Sequence, residues 1–373
     1  MFNEKKRAYT RKKGANMDTA SLLEKFSIPG TLVATKANHQ GHINSTYVCT
    51  FNDQGTQTKY TLQRINSVVF PHPEEVMENS MLVTNHIKSK IAGLPDKDQR
   101  CLTVISAKDG KPYVIDDEGG YWRAYRYIEH VATYDTISDA SKAYQLGEAI
   151  GRFQNQLSDF DSQKLHVTIP NFHNMGWRYT QLLEAATKDC KNRLSSVQLE
   201  YNFLMENRTR GLSLWEGMES GRFPTRVTHN DTKMNNVLFS EDGTEALCVI
   251  DLDTVMPGTI LFDTGDMIRT ATNTACEDEK DLSKVHCNVE LFASLLKGYR
   301  SQADRFLTKE ESSMLVESGR VTTQIMAVRF LSDYLSGDVY YHIDRPEHNL
   351  DRARTQIALM RSMDSEWERL KSL

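Results

Sequence analysis

Two short apolar segments with polar flanks interrupt the otherwise helical second half of this 373-residue chain, and they constrain its fold more than any other feature. HNDTKMNNVLF covers residues 229–239, and CVIDLDT covers residues 248–254. An apolar run, a turn at SEDGT and a second apolar run predict a hairpin whose last strand ends in Asp251 and Asp253. Two carboxylates at the end of a strand repel each other unless a cation compensates them. The hairpin therefore predicts a cation site.

The polar residues around this hairpin suit phosphoryl transfer, in which a protein mainly positions groups and supplies positive charge. Mg²⁺ accepts one or two carboxylates and completes its shell with water and phosphate oxygens. We expect Asp231 to accept or orient the proton of the attacking hydroxyl and Lys233 to direct its ammonium at the γ-phosphate. Asn236 and Asp251 are the predicted ligands of a Mg²⁺ that holds ATP, with Asp253 as a further metal ligand. The order H-x-D-x-x-x-x-N before a metal-binding Asp is a kinase pattern.

Three neighbouring residues have structural explanations. His229 is expected to hydrogen-bond the loop as a structural histidine. Asp263 and Asp266, in the segment GTILFDTGDMIR, are predicted to cap a helix or to pin the catalytic loop rather than to bind metal. A structural role for the whole polar cluster is the alternative to phosphoryl transfer.

Hydrophobic patterning divides the chain into a β-rich part and a larger helical part. Residues 1–17 hold six Lys and Arg and few apolar residues, which predicts a disordered basic tail. Short strands, turns and one helix fill residues 18–128, and amphipathic helices dominate residues 129–373. The sequence therefore predicts an α+β fold, with an N-terminal nucleotide-binding lobe on an antiparallel sheet and a mainly helical C-terminal lobe for catalysis and substrate binding.

Composition excludes several classes of partner. A net charge of −5 provides no basic field for nucleic acid. No apolar run approaches the ~18 residues of a membrane span, and the basic N-terminus lacks the apolar segment of a secretory signal. The six cysteines form no C-x-x-C pair, which predicts reduced thiols and a cytoplasmic protein. We expect a monomer or a weak dimer.

The block HNDTKMNNVLF followed by VIDLDTVMPG resembles the kinase motif of the aminoglycoside phosphotransferase/choline kinase superfamily. Over roughly residues 28–362, the chain is similar to bacterial N-acetylhexosamine 1-kinases. The blocks that carry this similarity include GHINSTYV (41–48), YTLQRIN (60–66), YRYIEH (125–130), RFLSDYLSGDVY (329–340) and PEHNLDRARTQI (346–357).

This resemblance implies a bilobal protein-kinase-like fold with ATP between the lobes. It implies that the γ-phosphoryl of ATP moves to the anomeric hydroxyl of a small-molecule sugar, GlcNAc or GalNAc, to give the sugar 1-phosphate. By the same resemblance the first loop, here His42 and Asn44, lies near the sugar together with Asp231. The late helical block, here Arg329 and Tyr340, also lies near the sugar.

The predicted nucleotide contacts rest on two further segments. In the first loop, the hydroxyls of Ser45 and Thr46 and nearby backbone N–H groups are suited to cradle phosphate. An ordinary hairpin turn is the alternative for this loop. In YRYIEH, Tyr127 and Ile128 are expected to lie beside the adenine ring, where the backbone would hydrogen-bond the base.

The third strand departs from the family pattern, which normally places a phosphate-clamping lysine there. The corresponding residue is Gln63, and Arg64 follows it. Alternation along a strand puts these two side chains on opposite faces. Either Gln63 faces the nucleotide and brings no charge, or a bulge turns Arg64 inward and restores the charge.

Several alternatives concern the acceptor. A salt bridge to Asp333 is the structural alternative for Arg329. A kinase of the same fold could act on an aminoglycoside, choline or homoserine instead of a sugar. A cationic acceptor would need an acidic pocket, whereas the GHIN and RFLSDYLSGDVY blocks favour a neutral polyol. A non-catalytic nucleotide-binding scaffold is disfavoured because Asp231, Asn236 and Asp251 are all present.

Overall fold

The computed structural model describes residues 19–38, 43–137 and 139–373. It divides into two compact units, and two segments from later in the chain belong to the first unit. The first unit comprises the described residues up to Val131, together with Gln163–Ile169 and Leu247–Met256. The second comprises Ala132–Ser162, Pro170–Ala246 and Pro257–Leu373, of which residue 138 lies outside the described part.

The first unit is built on an antiparallel sheet of six strands. They are β1 (Thr31–Asn38), β2 (Ser45–Asp53), β3 (Thr56–Arg64), β4 (Val104–Ile105), β5 (Val114–Ile115) and β6 (Tyr121–Arg126). Their order is β1-β2-β3-β6-β4, with β5 paired to β6. The register of β3 against β6 is regular and sets Gln63 opposite Arg123.

One face of this sheet carries an apolar core in which Leu62, Trp122 and Ala124 are fully buried. The long helix of this unit, α2, begins with Pro73 and has acidic residues in its first turn and basic residues in its last, the arrangement that the helix dipole favours. Its predicted face, with Val76 and Val83, is buried. The helices of this unit are α1 (Thr19–Leu23), α2 (Pro73–Ile91), α3 (Lys97–Arg100) and a 3₁₀ turn, Leu252–Thr254.

The second unit is mainly helical, as predicted. Its helices are α4 (Ala140–Gln156), α5 (Met175–Lys188), α6 (Gln198–Glu206), α7 (Arg208–Glu219), α8 (Ile260–Thr272), α9 (Val289–Ala303), α10 (Lys309–Ser313), α11 (Leu315–Leu335), α12 (His348–Ser365) and α13 (Trp367–Lys371). Its 3₁₀ turns include Leu194–Val197, Met234–Asn236 and Leu282–Lys284.

Five short strands complete the chain. They are β7 (Val131–Ala132), β8 (Arg226–Thr228), β9 (Val237–Ser240), β10 (Ala246–Val249) and β11 (Met256–Gly258). The predicted apolar strands of the hairpin segment are β9 and β10. The turn between them is closed by the N–H of Ser240, which donates to the carbonyl oxygen of Glu245 at 2.8 Å.

Helices α4 and α9 approach closely through glycines. A Cβ on Gly147 would lie 2.0 Å from the carbonyl oxygen of Leu295, and one on Gly298 would lie 2.0 Å from that of Tyr144. Only glycine permits this backbone approach. The close packing supports the inner side of α4, from which Gln154 reaches the functional loop described below.

Helix α11 is buried along nearly its whole length, and it ends at Leu335. Gly337 follows with φ of +91°, a conformation that favours glycine. Arg329 therefore lies on the helix, and Tyr340 lies in the loop after it. Within residues 19–38, 43–137 and 139–373, no helix is both long and apolar enough to cross a membrane.

Candidate functional site

A buried carboxylate organises the loop that carries Asp231. Asp263, in the first turn of α8, accepts hydrogen bonds from the backbone N–H groups of His229 at 2.9 Å and Asn230 at 2.7 Å. It also accepts one from the Nε2 of Gln154 at 3.0 Å. The hydroxyl of Thr232 donates to the backbone carbonyl of Asp263 at 2.6 Å. The prediction that Asp263 pins this loop is confirmed, while Thr259 caps the helix.

This loop needs such a partner because its backbone is buried outside regular structure. Asn230 has φ of +66°, and a buried N–H without an acceptor is strongly unfavourable. Burial raises the pKa of Asp263 above its ordinary value, and the hydrogen bonds from the loop N–H groups and from Gln154 offset only part of that effect. The loop conformation and this carboxylate therefore depend on each other.

His229 is fully buried and serves the loop directly. Its Nδ1 accepts a hydrogen bond from the backbone N–H of Asp231 at 3.3 Å. Its ring packs edge-on against Phe153, with centroids 5.8 Å apart. The predicted structural role of this histidine is therefore confirmed.

Asp231 lies between an ammonium and a carboxamide. The Nζ of Lys233 is 2.9 Å from its Oδ2, and the Nδ2 of Asn236 donates to the same oxygen at 2.9 Å. Burial pushes the pKa of Asp231 up, but Lys233 and Asn236 together with His229 hold it below the ordinary value. Asp231 is thus an ionised carboxylate at neutral pH, with a side chain that is 28% exposed.

The side chain of Asn236 has a fixed orientation. Its Nδ2 donates both to the carboxylate and to the backbone carbonyl of Asp231, the latter at 2.8 Å. The carboxamide oxygen is therefore the atom that Asn236 presents away from Asp231. An amide oxygen is a hard ligand of the kind that Mg²⁺ accepts.

The two acids of the segment IDLD, in the first unit, have different surroundings. Asp251 is exposed and has φ of +60° at the start of the 3₁₀ turn. Asp253 is buried, and its carboxylate is bound by the Nη1 of Arg123 and by the Nδ2 of Asn44 at 2.8 Å. Both oxygens of Asp253 therefore have protein donors. Asp251 is the more exposed of the two acids.

Arg123 brings a buried positive charge to this part of the first unit. Its Nε donates to the Oε1 of Gln63 at 3.0 Å across the β3–β6 pair. The Nε2 of Gln63 donates to the Oγ1 of Thr46 at 3.1 Å. Burial lowers the pKa of Arg123, but Asp253 more than reverses this, so the guanidinium is charged. Gln63 itself is neutral, and the cation that it holds comes from the neighbouring strand.

Arg64 points away from Gln63, as strand alternation requires. Its Nη2 lies 3.6 Å from Asp116 and 3.9 Å from Glu118, and its guanidinium lies over the ring of Trp122 at 5.9 Å. The register of β3 against β6 contains no bulge at this position. The expectation that a bulge could turn Arg64 inward is therefore not met.

The other predicted nucleotide residues lie at strand ends of the first unit. Ser45 and Thr46 begin β2, and Tyr127 and Ile128 directly follow β6. The N–H of Tyr127 donates to the carbonyl of Lys59 at 3.0 Å. The ring of Tyr127 is exposed, and the aliphatic side chain of Ile128 is buried.

Of the two loop residues predicted near the sugar, His42 lies outside the described residues. Asn44 is buried, and both ends of its carboxamide are engaged within the first unit. Its Nδ2 binds Asp253, and its Oδ1 accepts the N–H of Asn66 at 3.0 Å. The structure thus places Asn44 on the carboxylate of Asp253.

Arg329 and Tyr340 lie in the second unit, close to an aromatic cluster. The guanidinium of Arg329 lies 5.0 Å from the ring centroid of Phe172 and 5.5 Å from that of Tyr341, the neighbour of Tyr340. Asp333 does not pair with Arg329. Its carboxylate instead accepts the backbone N–H groups of residues 339–341.

Sequence reasoning missed Arg123 and also Arg178, which contacts Phe172, as Arg329 also does. Neither residue belongs to a motif, and each meets its neighbours only through tertiary packing. In the described part of the chain, no three His, Cys, Asp or Glu residues converge as a metal cage. The predicted Mg²⁺ ligands, Asn236 and Asp251, are instead single oxygen donors.

Comparisons with known proteins give a consistent result. Residues 36–284 match the phosphotransferase enzyme family. An aminoglycoside phosphotransferase from Alicyclobacillus acidocaldarius has a TM-score of 0.63 at 12% identity, covering 96% of this chain and 98% of the other. A spectinomycin phosphotransferase solved with ADP and spectinomycin has a TM-score of 0.56 at 13% identity, covering 91% and 96%.

A choline kinase from Cryptosporidium parvum has a TM-score of 0.55 at 14% identity, covering 95% of this chain and 96% of its own. At these identities the three likenesses concern the fold alone. The α+β fold, with an N-terminal antiparallel sheet and a larger helical part, is the kinase-like fold of these neighbours.

The Arg123–Asp253 pair generates a stability prediction. Arg123→Met leaves a buried carboxylate without its cation, and we expect the free energy of unfolding to fall by about 3–5 kcal/mol. The double variant Arg123→Met/Asp253→Asn should recover most of this loss, because neither buried charge remains. Urea denaturation of the two single variants and the double variant measures the coupling.

Arg64→Met is the control for this cycle. It removes a strand arginine with longer, partly exposed ion pairs, and we expect a loss of only about 0–1 kcal/mol. Additive losses at residues 123 and 253 would show that the two side chains do not stabilise each other.

Proposed function

The chain belongs to the phosphotransferase enzyme family, and we propose that it transfers the γ-phosphoryl of ATP to the anomeric hydroxyl of an N-acetylhexosamine, giving the sugar 1-phosphate. The observation that carries the phosphoryl transfer is the ionised carboxylate of Asp231, on a loop fixed by Asp263. The similarity of the blocks GHINSTYV and RFLSDYLSGDVY to N-acetylhexosamine 1-kinases supports the sugar acceptor.

In this proposal Asp231 accepts the proton of the attacking hydroxyl. A carboxylate that is ionised at neutral pH can act only as the base, and it must be held rigidly to act within hydrogen-bond reach of the hydroxyl. Asn236 and Lys233 supply that rigidity through their bonds to Oδ2. The remaining carboxylate oxygen, Oδ1, is the atom assigned to the proton.

The residues present fit a magnesium nucleotide. Asn236, in the second unit, presents its carboxamide oxygen, and Asp251, in the first unit, is an exposed acid. Each is a hard oxygen donor of the kind that Mg²⁺ accepts. When bound, Mg²⁺ neutralises charge on the transferring phosphoryl group. In this proposal Asp253 keeps its bonds to Arg123 and Asn44 and acts as a support for Asp251 rather than as a primary ligand.

The charge near Arg329 disfavours cationic acceptors. Arg178 and Arg329 are both buried and both contact Phe172, and Asp333 is already bound by backbone N–H groups. Choline and aminoglycosides carry positive charge and would be repelled there. A sugar offers hydroxyl and amide carbonyl oxygens, which accept hydrogen bonds from a guanidinium.

An acceptor panel tests the proposal. GlcNAc, GalNAc, glucose, kanamycin, choline and homoserine are supplied with ATP and Mg²⁺, ADP release is followed, and phosphorus NMR locates the new phosphate. We expect turnover with an N-acetylhexosamine and a phosphate on its anomeric oxygen. Turnover restricted to choline, homoserine or kanamycin would overturn the sugar assignment.

Asp231→Asn is the matched control for that panel. It removes the proton acceptor at constant size, so kcat should fall by about 10²–10⁴-fold. Nucleotide binding, followed with a fluorescent ATP analogue, should change little. Near-normal turnover in this variant would remove Asp231 from the role of base.

The charge of Lys233 generates a pH prediction. Burial raises the pKa of Asp231 and Lys233 lowers it, so Lys233→Met should raise this pKa. The base is active only when it is ionised. On acidification, kcat/KM should therefore begin to fall at a higher pH in Lys233→Met than in the wild type. Lys284→Met, which removes an exposed lysine near Asp281, should leave the profile unchanged. An unshifted acid limb in Lys233→Met would contradict the assignment.

A further inference from the structure

Two arginines and a histidine form a buried basic cluster in the second unit. Arg178 lies on α5, Arg329 lies on α11, and His173 precedes α5. Their exposed fractions are 8%, 9% and 7%. Buried guanidinium groups are rare in proteins unless they are paired with an anion.

Arg329 has no carboxylate partner in the described part of the chain. Its Nη1 points at the sulfur of Met326 at 3.5 Å, a weak acceptor, and its plane lies near the rings of Phe172 and Tyr341. Its Nε is buried and has no hydrogen-bond partner. Aromatic rings compensate a guanidinium only partly, because a cation–π contact is weaker than an ion pair with a carboxylate.

Arg178 has a similar deficit among the described residues. Its Nη2 donates to the carbonyl of Phe172 at 3.0 Å and its Nη1 to the Oε1 of Gln181 at 3.2 Å, both of which are neutral acceptors. Its Nε is buried without a partner. Arg178 and Arg329 both contact Phe172, the first at the backbone carbonyl and the second over the ring, so the two cations are close. Burial and then the charge of Arg329 lower the pKa of Arg178 to about 10.

Two acids in this part of the second unit, Asp333 and Glu277, are bound to other groups. Asp333 accepts three backbone N–H groups and the Nδ2 of Asn349. Glu277, whose charge acts on Tyr341, is paired with Arg269 at 3.1 Å. Among the described residues, no ion pair joins a carboxylate to Arg178 or Arg329, whose hydrogen bonds go to neutral acceptors.

The cluster lies beside the catalytic loop. His173 is next to the backbone of Asn230, the residue before Asp231, and its ring stacks on Phe262 at 4.5 Å. Burial lowers the pKa of His173, and Arg329 and Arg178 lower it further, so this histidine adds no third charge. The hydroxyl of Tyr341 is also buried without a partner and is a further donor.

From these contacts we infer that Arg178 and Arg329 bind an anionic oxygen group of the acceptor, a carboxylate, sulfate or phosphate ester on the sugar. The inference rests on the proposed function only in taking the acceptor as a sugar. Two guanidinium groups with unpartnered Nε atoms match the several oxygens of such a group. The anionic substituent would be distinct from the hydroxyl that Asp231 deprotonates, and it would determine which sugars bind.

Anion binding is measured first without any acceptor. Sodium sulfate is titrated into the protein in the presence of saturating ADP and Mg²⁺. The nucleotide occupies its own phosphate-binding groups, so sulfate cannot bind there. The melting temperature is recorded at constant ionic strength. We expect stabilisation that saturates in the wild type and is lost in Arg178→Gln. Arg193→Gln, which removes an arginine paired with Asp338 in the same unit, should keep the response. A response equal in Arg178→Gln and wild type would overturn the inference.

Acceptor kinetics then distinguish the possible substituents. N-acetylglucosamine, its 6-sulfate, its 6-phosphate and glucuronic acid are compared. We expect one acidic sugar to exceed N-acetylglucosamine in kcat/KM by about tenfold or more, mainly through KM, and to lose that advantage in Arg178→Gln. Arg178→Lys, which keeps the charge, should retain part of it and shows whether the fold tolerates substitution here.

The outcomes separate the two proposals. If no sugar is phosphorylated while sulfate still binds through Arg178, the proposed function fails and the anion site stands. If N-acetylglucosamine is phosphorylated at its anomeric oxygen, and every acidic sugar is poorer in both wild type and Arg178→Gln, the proposed function stands and the anion site is refuted.

Discussion

The candidate site in the second unit depends on the hydrogen bonds that the buried carboxylate of Asp263 accepts from the loop of Asp231. The segment before β9 is neither helix nor strand where it carries Asp231, so its backbone N–H groups have no partners within a regular element. The carboxylate of Asp263 accepts hydrogen bonds from two of these N–H groups. The backbone carbonyl of Asp263 accepts a third hydrogen bond, from the hydroxyl of Thr232. Without this carboxylate, the loop would have to leave buried donors unpaired or adopt another conformation.

Asp231, Asp251 and Asp253, the acids of the motifs HNDTKMNN and IDLD, have different electrostatic surroundings. Asp231 is kept ionised by Lys233. In the first unit, Asp253 is bound by Arg123, and the exposed acid is Asp251. A pair of acids two residues apart therefore does not present two equivalent ligands. Asp253 is held by Arg123 and Asn44, while Asp251 is the exposed acid of the two.

Arg123 also changes the interpretation of the third strand. A lysine at the position of Gln63 would bring its charge along β3, whereas here Gln63 binds a guanidinium that comes from β6. The positive charge is present on this face of the sheet although the expected residue is neutral. This arrangement ties Thr46, Gln63, Arg123 and Asp253 into one chain of hydrogen bonds.

The sequence predicted what depends on near neighbours along the chain. Asp231, Lys233 and Asn236 lie within six residues, and the role of Asp263 followed from the need to hold their loop. Because successive side chains of a strand point to opposite faces, the sequence also predicted that Gln63 and Arg64 on β3 point in opposite directions. The fold class followed from the change near residue 129 in the spacing of apolar residues along the chain. This spacing distinguishes strands from amphipathic helices.

The remaining features depend on register and tertiary packing, which spacing alone does not encode. The partner of Gln63 is fixed by the pairing of β3 with β6, and no motif marks Arg123. Arg178 and Arg329 come from helices far apart in the chain. The salt bridge proposed between Arg329 and Asp333 fits helical spacing, yet the loop after Gly337 folds back and occupies that carboxylate.

In the proposed function, the acceptor's own hydroxyl oxygen, deprotonated by Asp231, attacks phosphorus. This step is tested most directly with freshly dissolved N-acetylhexosamine carrying oxygen-18 at the anomeric position, with ATP and Mg²⁺. Phosphorus NMR of the product should show the isotope shift of oxygen-18 in the bridge between carbon and phosphorus. A product whose bridging oxygen comes from ATP would mean attack at the anomeric carbon and would contradict the role given to Asp231.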